Sequence, residues 1–448
     1  MFSTIKQAFK VKDIRTKIFF TLLILVIYRI GCYVPVPGIN TTVFSSAIEN
    51  NTFLELMNSV TGGALAQGTL FALGIGPYIN ASIIIQLLCV GIPSLERLSK
   101  QGEEGKKKIA TITRIITLVL SVIQSLGIIL AFGVAQDANS IDNTIFLFLD
   151  VNSGWTQALV WTFMTIIYTS GAMVVMWLGE RITEHGVGNG ISMVIFIGII
   201  STAGLAIINE FKQAFTGGFN MMHIWYVIIF IAVTVVLFTL ITWVDLAERK
   251  ITVQYAKQLK GRKMYGGQST VIPMKITGNG VMPLIFAFAI VSLPDLIMSM
   301  VPAWNGAAQA YQEWFSGGNG PLYWLYVIVL CLLIFAFAFF YSQIQFNPED
   351  VSKSIQQNGG FIAGIRPGRP TAAYLKKINN RITLFGAIFL SLVAFIPTMI
   401  LGYVLPQNGT PLLNAFSTTG ILIVVSVALE IEKQLQAQLM MKSYKGFL

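Results

Sequence analysis

Residues 58–92 read NSVTGGALAQGTLFALGIGPYINASIIIQLLCVGI. The first half is moderately apolar, yet it carries Gly62, Gly63, Gly68, Gly74, Gly76 and Pro77. Glycine readily adopts backbone conformations that interrupt a helix, and lipid offers no partner for a freed N–H or C=O. This half is therefore no standard lipid-exposed helix. A short glycine-hinged helix folded into a protein cavity fits it better, and an outer re-entrant loop with no moving role is the other reading. The second half, Ile75–Ile92, is apolar but interrupted by polar residues, which suits the lining of a cavity better than a lipid-facing surface.

Nine more hydrophobic segments surround this one. They run over about Ile18–Val34, Ile115–Val134, Trp155–Leu178, Ile191–Ile208, Ile224–Val244, Val281–Val301, Leu322–Ile344, Ile382–Val404 and Leu412–Leu429. A membrane core of roughly 30 Å needs about 20 residues of helix per crossing, so the pattern predicts ten spans. Composition agrees. Of 448 residues 54% are hydrophobic and only 11% charged, with a mean hydropathy of +0.70. A soluble domain carries about 25% charged residues. An ordinary soluble enzyme, a disordered chain and a secreted disulfide scaffold are all excluded. Trp155 and Trp177 bracket one segment, and Trp225 and Trp243 another, as expected of a residue that prefers the headgroup zone.

The connecting segments separate by charge. Residues 1–17, 93–114, 179–190, 245–280, 345–381 and 430–448 hold 28 of the 30 Lys and Arg. The alternate set, 37–74, 135–154, 209–223, 302–321 and 405–411, holds Lys212 alone, and Arg29 lies within the first span. By the positive-inside rule both termini are expected to be cytoplasmic. The net charge of +10 thus reports topology rather than a nucleic-acid partner. Five spans followed by five permit an inverted pseudo-symmetry, because an odd number flips the second half.

Catalytic patterns are missing. There is no GxxxxGK[ST] run, and Gly102–Lys106 (GEEGK) has the wrong spacing to cradle a phosphate. The two histidines, His185 and His223, lie outside the segments, and no HExxH exists. Cys32, Cys89 and Cys331 lie in apolar runs without a CxxC, so neither a disulfide framework nor a metal site is expected. The basic N-terminal stretch lacks the small-residue cleavage site of a signal peptide. Intramembrane charge is scarce. Arg29 lies toward the outer end of its span, where it can snorkel, Asp295 follows Pro294 in the outer half of the seventh, and Asp245 and Glu430 sit at cytoplasmic ends. No ionisable group stands near a midplane, which counts against an ion-coupled transporter of small solutes, the rival reading.

The stretch GGALAQGTLFALGIGPYINASIIIQLL resembles the plug and second helix of the SecY family, which forms the protein-conducting channel of general secretion. The resemblance continues through WLGERITEHGVGNGIS (177–192), VQYAKQLKGRKMYGGQST (253–270), FNPEDVSKSIQQNGGFIAGIRPGRPTAAYL (346–375) and ILIVV (421–425). It implies an all-α membrane protein in one domain: ten transmembrane helices in a five-plus-five clamshell, its halves at 1–208 and 224–429, around an hourglass pore with a plug helix. The pore ring would be Ile75, Ile79, Ile191, Ile195, Ile285 and Ile423. From the residues themselves, Ile75/Ile79 and Ile191/Ile195 each share a helix face. A dry apolar ring dewets and blocks ions. The plug, about residues 60–73, would include Val60, Thr61, Gly62, Gly63, Ala64, Leu65, Leu70 and Phe71. Asn80 and Gln86 would face the channel or its lateral gate, or else pack against a neighbouring helix through a hydrogen bond. Pro283 and Pro294 would bend the seventh span beside that gate.

The cytoplasmic loops 245–280 and 345–381 would be docking surfaces, through Arg249, Lys250, Arg262 and Lys263 in the first and Arg366 and Arg369 in the second. Implied partners are SecE- and SecG-type small membrane subunits, a SecA-type motor ATPase, the ribosome, unfolded secretory polypeptides with their signal peptides, and the lipid bilayer. No cofactor, metal or catalytic residue is implied. The family's GGTSLLIVV in the last span is here Ser417-Thr418-Thr419-Gly420-Ile421-Leu422-Ile423, and the apolar register survives. An accessory translocon paralogue with narrow cargo is a further alternative.

Overall fold

The computed structural model describes residues 2–37, 39, 41, 45, 58, 61–99, 101–134, 154–215, 221–255, 258–260, 263–265, 269–276, 282–300, 307, 310–311, 315, 322–404 and 418–445. Each of the ten hydrophobic segments overlaps a helix among the described residues, the tenth from Thr418 onward. The helices are α1 (Phe2–Lys10), α2 (Lys12–Gly31), α3 (Gly76–Gly91), α4 (Pro93–Ser99), α5 (Glu103–Val134), α6 (Gly154–His185), α7 (Gly190–Phe215), α8 (Met221–Leu246), α9 (Met282–Met300), α10 (Tyr323–Gln345), α11 (Pro348–Gln357), α12 (Arg369–Val404) and α13 (Thr418–Lys445). Among the described residues six helices are long and apolar enough to cross a membrane, or seven if the bent pair α3/α4 counts as one. That pair turns by 107° at Ile92. The residue before a proline is driven out of the α region, and Ile92 adopts φ −109°, ψ 114° ahead of Pro93.

The chain divides into two compact units, Met1–Ala232 with Ala289–Tyr326 and Thr398–Leu448, and Val233–Phe288 with Val327–Pro397. In the first, α3 packs on α5, α5 on α6, α6 on α7, and α7 on α13. The amphipathic α1 lies against α13, and Ala8 of α1, Ile14 of α2, Val187 and Leu435 of α13 form one buried cluster with Val11, Ile18, Ile431 and Leu439 around it. Trp155, Trp177, Trp225 and Trp243 are all exposed, as a headgroup-level residue should be.

In the second unit, part of the two long basic loops folds as a sheet. Strand β1 (Glu248–Tyr255) pairs antiparallel with β4 (Ser269–Lys275) on one side and β5 (Gly360–Ile362) on the other. Strands β2 (Gln258–Lys260) and β3 (Lys263–Tyr265) form a separate hairpin. β1 alternates, burying Ile251 and Val253 while Glu248 and Lys250 stay out. Its inner face meets Met274, Ile355, Ile362, Leu375 and Ile378 in one apolar core. Asn347 caps α11, its side chain accepting from the Glu349 N–H. Between α10 and α12, Asn379 donates to Ser342 at 2.7 Å, and Ser342 bonds Thr383 at 2.8 Å.

Asn58 and Thr61 are helical, and the chain then runs through turns and bends from 62 to 75. Two expectations change. Pro283 is the second residue of α9, where a missing N–H costs nothing, so it starts the helix rather than bending it. α7 continues past residue 208 to Phe215, and so buries Glu210 completely against His223 at 2.9 Å.

Candidate functional site

The segment between α2 and α3 is shaped by four glycines in the left-handed region, Gly62, Gly63, Gly68 and Gly74, at φ 74°, 88°, 56° and 52°. An L side chain there costs roughly 1–2 kcal/mol, which explains the turns. The segment closes on itself: Asn58 Oδ1 accepts from Ala66 N–H at 2.8 Å, and the Thr69 hydroxyl donates to the Ala64 carbonyl at 3.0 Å. It is tied to the chain leaving α2, where Val36 N–H donates to Gly68 and Leu70 N–H to Val34 at 3.1 and 3.0 Å.

Glycines on the surrounding helices let it sit close. A Cβ on Gly171 of α6 would fall 1.9 Å from the Leu70 carbonyl oxygen. One on Gly31 would fall 2.0 Å from the Phe71 ring, which stacks on Tyr28 at 5.9 Å. Ala64, Leu65, Thr69, Phe71 and Ala72 are buried, and Leu65, Ala72 and Leu73 pack on Met164, Tyr168 and Ala172 of α6. Thr61 and Gly62 are buried too, whereas Gly63 and Leu70 are half-buried, and Val60 lies outside the described residues.

Ile75 follows immediately, buried at the N-cap of α3. A Cβ on Gly179 of α6 would meet Ile191 Cγ1 at 3.5 Å and Ile75 Cδ1 at 3.6 Å, so these two isoleucines converge on one glycine. The sharp turn from α6 to α7 makes this possible. Gly190 sits so near the Gly179 carbonyl that a Cβ would fall 1.9 Å from it, and its N–H donates to Thr183. Ile195 and Ile423 are buried, Ile79 and Ile191 half-buried, and α13, which carries Ile423, packs along α7. Ile285 lies on α9, with its side chain outside the described residues. Asn80 is half-buried, and Gln86 donates to Ser82 of its own helix at 3.1 Å rather than to a neighbouring helix.

The basic candidates stand apart. Arg249 and Lys250 are exposed on β1, with Lys250 3.5 Å from Glu248. Lys263 opens β3, its side chain outside the described residues, as is all of Arg262. Arg366 and Arg369 are exposed on either side of Pro367-Gly368, with Gly368 at φ 97°. The Arg366 carbonyl accepts from Thr371 and the Gly368 carbonyl from Ser352, which fixes the turn. An open depression of about 530 Å³ beside it is lined by Phe361, Ile365, Arg366 and Gln356.

Sequence reasoning passed over Gly171, Gly179 and Gly190, because a close approach leaves no mark in local patterning. It read Arg29 as snorkelling at the outer end of its span, whereas the side chain turns inward to partners in segment 61–75 and α7 that lie far away in the chain. The GVGNG run at 186–190 was the one available signal.

Comparison with known proteins gives a consistent picture. The family model described as SecY matches residues 69–431. The protein translocase subunit SecY of Streptomyces scabiei is 41% identical over the whole of both chains. A solved structure titled for the SecY plug domain, which stabilises the closed state and maintains a membrane seal, shares the fold at TM-score 0.62 and 19% identity, covering 94% of this chain and 91% of its own. An idle yeast Ssh1 complex bound to the yeast ribosome matches at TM-score 0.57 and 15% identity, covering 94% and 88%. Neither the small-solute transporter nor the accessory paralogue gains support from them.

Proposed function

Because this chain belongs to the SecY family, we propose that its helices form the central pore of a Sec translocon, passing unfolded secretory proteins across the membrane and releasing transmembrane segments sideways into lipid. It is a multi-pass membrane protein and a channel subunit rather than an enzyme. The observation that carries the pore reading is the seat of residues 61–75, folded in among α2, α6 and α7 directly before the convergent Ile75 and Ile191. In this reading the six isoleucines form the ring and the turn segment is its stopper on the outer side. β-branched side chains yield to a passing peptide without offering it fixed hydrogen bonds. Asn80 and Gln86 lie along the route by which apolar segments leave.

The membrane is the cell membrane and both termini are cytoplasmic, which the charge asymmetry of the loops supports. The sheet module, with Arg249, Lys250, Arg366 and Arg369 exposed, is the dock for a SecA-type ATPase and for the ribosome, whose phosphates and acidic patches suit a basic surface. SecE- and SecG-type subunits complete the channel.

The test is electrical. Ile191→Asn with Ile285→Asn introduces polar groups that hold water in the ring. Planar bilayers containing this variant should conduct ions at rest, and a conductance equal to the parent's would overturn the ring assignment.

A further inference from the structure

The pore reading leaves the Arg29 side chain unexplained. Arg29 lies on α2 next to exposed Ile27 and Ile30, on a helix where a charge is expensive. Instead of reaching outward it turns into the protein. Nη1 donates to the Gly62 carbonyl at 3.3 Å, and Nη2 donates to the Ser201 hydroxyl of α7 and to the Tyr33 hydroxyl at 3.2 Å. The guanidinium also lies 5.2 Å from the centre of the Tyr33 ring.

We propose that Arg29 is the positioning residue that latches segment 61–75 into its seat, joining the segment's first turn, α2 and α7 through one guanidinium. This rests on the pore reading and adds a named control point to it. The glycines are cut to fit the latch. A Cβ on Gly62 would fall 2.2 Å from Nη1 and 3.1 Å from the Gly198 Cα on α7, so the first turn lies against that helix only as glycine. The planar fork of arginine reaches acceptors on three elements at once, which a lysine ammonium on a flexible stem does not reproduce.

The choice of partners matters as much as their number. Among the described residues all three acceptors are neutral, so the latch is held less firmly than a carboxylate would hold it. When the segment leaves, Gly62 departs but Ser201 and Tyr33 remain. The charge is then never stranded in an apolar setting, and opening avoids that desolvation cost.

The experiment uses the full chain, reconstituted with its co-purifying subunits in planar bilayers, and reads resting ion conductance. Four variants are compared: Arg29→Met, Arg29→Lys, Ser201→Ala and a deletion of residues 61–73. Arg29→Met should raise the resting conductance by about tenfold or more, with Arg29→Lys and Ser201→Ala in between. If the deletion leaks while Arg29→Met stays tight, the latch is overturned and the stopper survives. If the deletion itself stays tight, the pore reading fails at its stopper, and the latch with it.

A second measurement separates latching from folding. Cys32 Sγ lies 3.9 Å from the Thr61 carbonyl oxygen, so Thr61→Cys offers a disulfide to the native Cys32. In the Arg29→Met background, oxidation should restore the seal and dithiothreitol should reopen it. A leak that persists after the cross-link has formed would overturn the proposal. Should Arg29→Met fail to accumulate, tight seals in both Arg29→Lys and Ser201→Ala would do the same.

Discussion

Segment 61–75 and the sheet module (residues 248–275 and 346–378) are both made from glycine-bearing connections between spans, and they are held by opposite means. The module has an aqueous-style core. Val253 and Leu375 are fully buried, with Ile251, Met274, Ile355, Ile362 and Ile378 nearly so. Each such side chain contributes about 1.5–3 kcal/mol when water is the alternative, and β1 adds a ladder on both edges. The turn segment sits among helices whose surroundings are lipid, where apolar contact gives no such driving force. It is held by shape, through glycines at 31, 62 and 171, and by a few hydrogen bonds to Arg29, Val34 and Val36. On the proposed function, the part that a partner pushes on is built the first way, and the part that comes away and returns is built the second.

The contrast can be broken or sharpened at several positions. Arg366→Glu reverses an exposed charge on the module without touching its core, at one of the arginines proposed for docking. ATP-driven export from reconstituted vesicles should be nearly abolished while the channel still inserts. Normal export would remove Arg366 from the dock. Next in size, Gly171→Val puts a side chain where the Leu70 carbonyl lies, so the segment cannot seat. Resting bilayer conductance should become continuous, and a silent channel would mean that close packing there is dispensable. Leu375→Ala should cost the module about 2–4 kcal/mol and expose it to limited proteolysis, yet leave resting conductance at the parent's level. A leak would show that the two regions do not separate as argued. The smallest effect belongs to Asn347→Ala, which removes the α11 cap at about 1 kcal/mol and should be visible as faster hydrogen exchange at the Glu349 amide.

The helices were legible because a span must be apolar for its whole length, so each of the ten segments could be read without reference to any other. The pairing of Ile75 with Ile191 came from resemblance, and both reach Gly179. What stayed hidden depends on distant partners. Nothing local to Val253 announces that it pairs with Ile362, so two loops read separately turned out to share one sheet. Glu210 read as loop because a carboxylate normally marks solvent, whereas α7 carries it inside to meet His223. Glycine content revealed the interruption of helix in segment 61–75, but not that four left-handed residues would carry the chain through turns from 62 to 75.

The packing of α1 on α13 sets an order on biogenesis. The stripe formed by Ala8, Val11 and Ile14 is synthesised well before its cover, Ile431, Leu435 and Leu439. Until that cover emerges the stripe must shelter on the bilayer surface or on a chaperone. A chain stopped short of Ile431 would keep it bare.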